Sequence, residues 1–346
     1  MKFRILLLLC IIFLSVSGQK ANVKVGLIGF YNLENLFDTI DDPKINDEEF
    51  LPTGKKRYTS EVYLDKIAHL AEVLSQIGTD ISPDGLSLIG DAEIENENVL
   101  KDLVNHPLLR SRNYQIVHYD SPDERGIDVC LLYNPKYFKP LSSQSLYVSL
   151  KRPGDSTEHK TRDVLFVYGK YDNEDMFVFV NHWPSRRGGE EASAPGRAAA
   201  AKVVKNKIDS IVAINPDAKI VVMGDLNDDP VSASVAGVLG AKGDKDKVLK
   251  GGLYNPWVVP YKKGIGTLAY NDSWNLFDQI LVSSGFLNKD QSGFYYYDAR
   301  IFSKPWMLQT TGRYKDYPKR TYDFDNYMGG YSDHFPTYII LYKKVN

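Results

Sequence analysis

Ile220-Val221-Val222-Met223-Gly224-Asp225-Leu226-Asn227-Asp228 is an apolar run of strand length that stops abruptly in acids and an amide. A buried strand reads as a short continuous apolar stretch bounded by turn residues, and Gly224 and Asn227 supply that boundary here. One such cluster after a strand is by itself most simply a turn. Four further runs end the same way: Phe30-Tyr31-Asn32-Leu33-Glu34-Asn35, Gly90-Asp91-Ala92-Glu93-Ile94-Glu95-Asn96, Asn181-His182-Trp183-Pro184, and, leading into the last strand, Tyr331-Ser332-Asp333-His334-Phe335. Five recurrences in one chain are harder to read as turns alone.

Working outward, other strand-length runs are Val23 to Tyr31, Gly85 to Gly90, Ile127 to Tyr133, Val164 to Tyr171, Phe177 to Asn181, Phe277 to Val282 and Thr337 to Tyr342. Two stretches have helical character. Glu61 to Ile77 puts Val62, Ile67, Leu70, Val73, Leu74 and Ile77 on one face, and Gly196 to Ile214 has an Ala-rich start with Pro216 just past its end. Many short strands and few helices, without strict alternation, predict an α/β fold built as a sandwich of mixed sheets with outer helices. No repeat, low-complexity tract or linker divides residues 19–346, which read as one domain.

Strand ends are where a rigid sheet can aim several side chains at one point. Asn, Asp, Glu and His without cysteine make a hard, oxygen-rich donor set. That set suits Mg²⁺, Mn²⁺ or Ca²⁺ better than zinc. None of the six histidines forms an H-E-x-x-H pair, so a zinc peptidase has no support.

In this order the motifs resemble the endonuclease/exonuclease/phosphatase family. Gly224-Asp225-Leu226-Asn227 and Ser332-Asp333-His334 carry the likeness most specifically, Phe277 to Ser283 supports it, and it extends from about Val23 to Tyr342. The resemblance implies a four-layer sandwich of two packed mixed β-sheets flanked by helices. It further implies a metal-dependent phosphoesterase, with Asn32, Glu93 and Asp333 as metal ligands. Asp225 and Asn227 match the pair that positions or deprotonates the attacking water. His182 matches the histidine on the scissile phosphate, His334 the second histidine, and Asp278 the carboxylate that orients it. Such a division of labour is chemically sensible, because cationic groups must offset charge building on the phosphoryl oxygens during in-line attack.

Substrate contacts are expected from Arg186 and Arg187, which follow the His182 strand beside a Gly-Gly pair. Arg125 lies where many relatives carry a phosphate-contacting tyrosine, and it is the candidate replacement. Residues 286–331 are rich in tyrosine with interleaved Arg313, Lys315, Lys319 and Arg320. Such a stretch could stack bases, but loop packing is the preferred reading. Glu34, Glu95 and Asp228 are taken as supporting or surface acids.

The expected reaction is nuclease-type hydrolysis of nucleic acid, DNA favoured over RNA. Alternatives are a phosphatase or phosphodiesterase of small or lipid phosphate esters, and a silent binding protein on the same fold. No lipid-binding apolar hairpin and no dense Lys/Arg cluster points to lipid or polyphosphate substrates.

Composition bounds the rest. At 346 residues and 43% hydrophobic, the chain can bury a large core, and its near-neutral charge of −2 advertises no polyanionic partner. Residues 1–18 read as a signal peptide: basic Lys2 and Arg4, apolar Ile5 to Leu14, then small residues before Gln19. That apolar run is too short for a bilayer span, which needs roughly 20 residues. The expectation is therefore an exported protein, periplasmic or secreted, without stable membrane association. Cleavage would remove Cys10 and leave Cys130 alone, so no intramolecular disulfide could form.

Overall fold

The computed structural model describes residues 23–151, 158–288, 291 and 293–345. The expected signal segment, residues 1–18, lies outside them. Twelve strands form two six-stranded sheets. In chain order they are β1 (Val23–Leu36), β2 (Leu88–Ile94), β3 (Gln115–His118), β4 (Asp128–Tyr133), β5 (Phe138–Leu146), β6 (Val164–Tyr171), β7 (Glu174–His182), β8 (Lys219–Asp225), β9 (Leu253–Tyr254), β10 (Asp278–Ser283), β11 (Tyr295–Ile301) and β12 (Thr337–Lys344). The first sheet runs β11-β12-β1-β2-β4-β3 and the second β9-β10-β8-β7-β6-β5.

Both sheets are mixed, and each has one parallel pair at its centre, β1 with β2 and β7 with β8. Parallel neighbours need a crossover connection, usually helical. Helix α1 (Ser60–Gln76) lies in the first crossover and helix α3 (Glu190–Ile214) in the second. Between them in sequence comes α2 (Glu97–Asn105), where Asn96 caps the first turn by accepting from the Asn98 and Val99 amides.

Alternation along the central strands builds the layers. Ile28, Phe30, Val221, Met223, Ile339 and Leu341 point into the core between the sheets. Their neighbours turn outward: Leu27, Tyr31 and Ile340 pack under α1 and α2, while Ile220 and Val222 pack under α3. The outcome is the expected four-layer α/β sandwich. Among the described residues, no helix is long and apolar enough to cross a membrane.

Differences from the sequence reading fall at the edges. Strands β3, β5, β9 and β11 and helix α2 were not anticipated. Strand β5 is mostly exposed, carries Pro140 and has a register shift beside it, so it lacks an apolar signature. Helix α3 begins at Glu190, six residues before Gly196, because Pro195 is accommodated near its start. In α1 the buried face includes Lys66, a charged residue at a position on the apolar stripe.

Candidate active site

The motifs converge because both sheets end alike. In the second sheet, His182, Asp225 and Asp278 occupy one cross-strand row: Asp225 pairs with His182 on β7 and with Asp278 on β10. Strands β7 and β8 are parallel and finish here, whereas antiparallel β10 begins here. The first sheet repeats this logic. Strands β1 and β2 deliver Asn32 and Glu93 near their ends, and antiparallel β12 is preceded by Asp333 and His334.

Local backbone irregularity aims these side chains. The β1–β2 register shifts between Asn32 and Leu36, and Glu34, Asn35 and Glu93 all have left-handed φ values of 51°, 57° and 63°. Asn227, at φ 49°, does the same after β8. Non-glycine residues adopt that region at a cost, and such strain concentrates at functional positions.

Side-chain contacts then tie the two sheets together. Asn32 Nδ2 donates to Asp225 Oδ2 at 3.1 Å, and the Asn227 amide donates to Asp225 Oδ1 at 2.9 Å. Asn227 is anchored by its own Nδ2 to the Trp183 carbonyl. His182 Nε2 stands 3.7 Å from both Glu93 Oε1 and Asp225 Oδ2, and its buried Nδ1 has no partner. On the other side, His334 Nδ1 lies 2.7 Å from Asp278 Oδ2, which also accepts from Thr267 Oγ1. Ser332 Oγ donates to the Asn32 carbonyl at 2.7 Å and accepts from the His334 amide, locking this turn onto β1.

The two histidines are shifted in opposite directions. Burial, reinforced by the positive charge of Arg162, Arg125 and His334, holds His182 well below the ordinary imidazole value. Burial would lower His334 too, but Asp278, Asp333 and Asp225 together raise it well above that value. Near neutrality His182 is a neutral imidazole and His334 an imidazolium. Asp225 is pushed up to about 7, chiefly by burial and then by Asp278 and Glu93 against the opposing His334.

A divalent ion fits this donor set. Ligand-type atoms of Asp225, Asp278 and His334 lie within 4.8 Å of one another, and with His334 protonated the two carboxylates are the donors of that group. Asp278 Oδ1 is buried without a hydrogen-bond partner. Glu34 is raised to about 7, by burial and by the neighbouring Asp333, so carboxylates crowd this space. Glu93, Asp333 and Asn32 supply oxygen donors at its rim, the hard chemistry Mg²⁺ or Mn²⁺ prefers.

The expected arginines separate. Arg186 is engaged by protein: it donates to the Asn227 carbonyl, Asp228, Asp229 and Glu190, and its guanidinium lies 4.6 Å from the Phe277 ring centre. Arg187 is exposed. Arg125 is half exposed and paired loosely to Asp123 at 3.5 Å. Asp228 also pairs with fully buried Arg197 at 2.8 Å, a structural role.

Two contributors, Arg162 and Lys66, escaped the sequence reading, and a third, Glu34, was expected only as a supporting or surface acid. Buried Arg162 donates to Asp123 and to the Trp183 carbonyl, and its charge reaches His182 and Glu93. Glu34 accepts from the Thr321 and Tyr322 amides. Lys66, wholly buried, donates to Thr321 Oγ1 and is attracted by Glu34, Asp333 and Glu93. Only the Lys66 position on the apolar face of α1 gave any warning.

Comparison with known proteins agrees with this fold. A sequence model described as "Endonuclease/Exonuclease/phosphatase family" matches residues 27–343. A search of curated proteins found no match. Among solved structures, an endonuclease/exonuclease/phosphatase family protein from Bacteroides thetaiotaomicron is similar over 94% of this chain and 100% of its own, at 15% identity and TM-score 0.53. A mannosyl-6-phosphatase of the same organism has TM-score 0.53 and 15% identity over 91% of this chain and 99% of its own. The D. rerio TDP2 complexed with single strand DNA product has TM-score 0.52 and 14% identity over 92% and 98%. At such identities the likeness is one of fold.

Proposed function

This chain belongs to the endonuclease/exonuclease/phosphatase family of phosphoric ester hydrolases, generally dependent on divalent metals, and from that premise we propose that it hydrolyses nucleic-acid phosphodiesters. One observation carries the reading. Two cavities, of about 340 and 200 Å³, adjoin through Arg320, Phe324 and Asp333, so both reach the expected metal ligand Asp333. A monoester needs a single recess for the group beyond its phosphate. A diester carries a group on each of two oxygens, and two adjoining recesses that both reach Asp333 offer room for them. The TDP2 neighbour, solved with single strand DNA product, is consistent with this choice.

In the proposed reaction Asn32, Glu93 and Asp333 hold the divalent ion, which supplies charge neutralisation at the phosphate. Asp225, its carboxyl near neutral pKa, accepts a proton from water that Asn227 helps position, as a general base must. His182, kept neutral, donates a hydrogen bond to a phosphoryl oxygen. His334, kept cationic and fixed by Asp278, stabilises the charge that develops as the P–O bond breaks. The chain is further proposed to be exported, on the strength of the basic-then-apolar character of residues 1–18.

The test is cleavage of supercoiled plasmid and of a single-stranded oligonucleotide with Mg²⁺, with Mn²⁺ and with EDTA, beside a His182→Ala control. Metal-dependent cleavage lost in the variant supports the proposal. Intact nucleic acid together with release of phosphate from small monoesters would move the assignment to a phosphatase.

A further inference from the structure

The larger cavity lies between two hairpins, residues 268–275 and 322–327, and the loop 309–320 closes its base. None of these belongs to the catalytic strands. Its walls combine aromatic rings with guanidinium groups: Tyr270, Tyr314 and Phe324, with Arg313 and Arg320. The guanidinium carbons of Arg313 and Arg320 lie 5.7 and 5.9 Å from the Tyr314 ring centre. Arg320 also reaches Asp333 at 3.4 Å, and Asp333, the expected metal ligand, itself lines the cavity.

Two rings at its mouth are placed against their own interest. Phe324 is 80% exposed and Tyr270 70% exposed, although both are large and apolar. Phe324 is also held at φ 52°, a region that bulky residues seldom occupy. Its hairpin is not loose, because Lys56 Nζ donates to the Phe324 carbonyl at 3.0 Å and Tyr322 and Tyr327 pack 5.5 Å apart below it. A strained, buttressed backbone that presents an aromatic ring to solvent beside an active site points to a ligand that covers the ring.

Charge narrows the ligand. Three carboxylates line the cavity beside its two arginines: Asp272, occupied by the Tyr317 hydroxyl at 2.6 Å, Asp333, which Arg320 meets at 3.4 Å, and Asp323, whose Oδ1 is buried without a hydrogen-bond partner. Arg313, which has no carboxylate partner among the described residues, is the donor left for an anion. Aromatic faces with adjacent guanidiniums are the chemistry that stacks a base while holding the phosphates on either side of it. At about 340 Å³ the cavity is at the small end for ligand pockets and suits a single nucleoside.

We propose that this cavity is a subsite for one unpaired nucleobase adjoining the scissile phosphate, so that the enzyme selects single-stranded over duplex nucleic acid. The inference rests on the phosphodiesterase reading above and deepens it. A paired base cannot enter without leaving its stack, and the energy for extruding it favours strands already unpaired. Tyr314, Phe324 and Arg313 are then specificity residues for the base and its flanking phosphate, distinct from the groups that carry the chemistry.

The test separates binding from cleavage. Full-length chain carrying His182→Ala, to suppress turnover, is titrated calorimetrically with adenosine 5′-monophosphate and with ribose 5-phosphate in the presence of Ca²⁺. The base is expected to strengthen binding by about tenfold or more, and Tyr314→Ala or Phe324→Ala to remove most of that advantage. Phe324 is exposed and Tyr314 half-buried against Tyr317, and a melting curve checks that each variant is folded. Equal affinity for the two ligands, or a base preference untouched by both substitutions, overturns the subsite. In parallel, the unmodified active site is assayed on one oligonucleotide, single-stranded and annealed. Equal rates on the two forms overturn the selectivity while leaving the nuclease intact. Base-dependent binding without cleavage of either form would instead retain the subsite and remove the nuclease.

Discussion

His334 Nδ1 lies 2.7 Å from Asp278 Oδ2, joining the turn before the last strand of one sheet to the first residue of a strand in the other. The pair bridges the two layers at the catalytic face. A carboxylate behind an imidazole fixes its orientation and holds its proton. Asp278→Asn keeps the shape and loses that charge, so kcat on a chromogenic phosphodiester is expected to fall about 10²- to 10⁴-fold. Steady-state kinetics beside a melting curve check it, and a retained melting temperature with retained kcat would dismiss the role.

Crowded carboxylates predict stabilisation by metal. Glu34, Glu93, Asp225, Asp278 and Asp333 repel one another around a space that a divalent cation would neutralise. Mg²⁺ at a hundredfold over its dissociation constant should stabilise the fold by about 2.7 kcal/mol. The rise in melting temperature should vanish on EDTA addition and shrink sharply in Glu93→Gln. This readout does not depend on finding the substrate.

Lys66 and Glu34 predict a coupled pair. Burial lowers the lysine and raises the glutamic acid, and each opposes the other's shift. Lys66→Met removes the cation that faces Glu34 and strands Thr321 Oγ1, so it should cost about 3–5 kcal/mol in urea unfolding. Adding Glu34→Gln should recover at least about 1 kcal/mol of that loss. Additive losses would show that the two groups do not communicate.

Gly224 predicts a steric limit beside the catalytic acid. A Cβ built there would meet the Asn181 carbonyl oxygen at 2.3 Å, and backbone cannot yield as a side-chain tip can. Gly224→Ala should therefore force β7 and β8 apart and displace both His182 and Asp225. We expect a loss of about 1–3 kcal/mol from overpacking, with activity reduced further than stability. Chemical denaturation and turnover measured on one preparation decide it.

Glu174 predicts part of the acid sensitivity. Burial would raise its carboxyl, but Lys219, Lys343 and the Phe294 amide hold it below the ordinary value. A depressed folded pKa gives stability that is present above the unfolded value, about 4.3, and is lost as pH falls through the folded one. Glu174→Gln should cost about 1–3 kcal/mol at neutral pH. Between about pH 5 and pH 3 its stability should then fall less steeply than that of the parent chain. Parallel slopes would remove Glu174 from the account.

Much of the architecture was legible in order along the chain. The central strands are buried on both faces and must be apolar throughout, so runs such as Val164 to Tyr171 and Ile220 to Met223 announce themselves. The acids, amides and histidines at the strand ends were equally visible, because no core would hold them and every motif placed them at a boundary. Edge elements were not visible. Strand β5, half in solvent, needs no apolar pattern to pair along one side, and α2 is too short for a period to stand out from the Glu93–Asn96 cluster.

What the sequence determined by itself is the set of strands and the chemistry waiting at their ends, since local pattern and side-chain type are properties of a few neighbouring residues. Which of those groups meet was decided by tertiary structure alone. Register puts His182, Asp225 and Asp278 in one row, and sheet packing brings Asn32 to Asp225 across 193 residues. The same packing drew in Lys66, Glu34 and Arg162, and it committed Arg186 to protein carboxylates. Tyr322 and Tyr331 pack in the core as the loop reading held, whereas Tyr314 and Phe324 line the cavity. The charge state of a buried group depends on every neighbour within several ångströms, and those neighbours exist only once the two sheets have closed on each other.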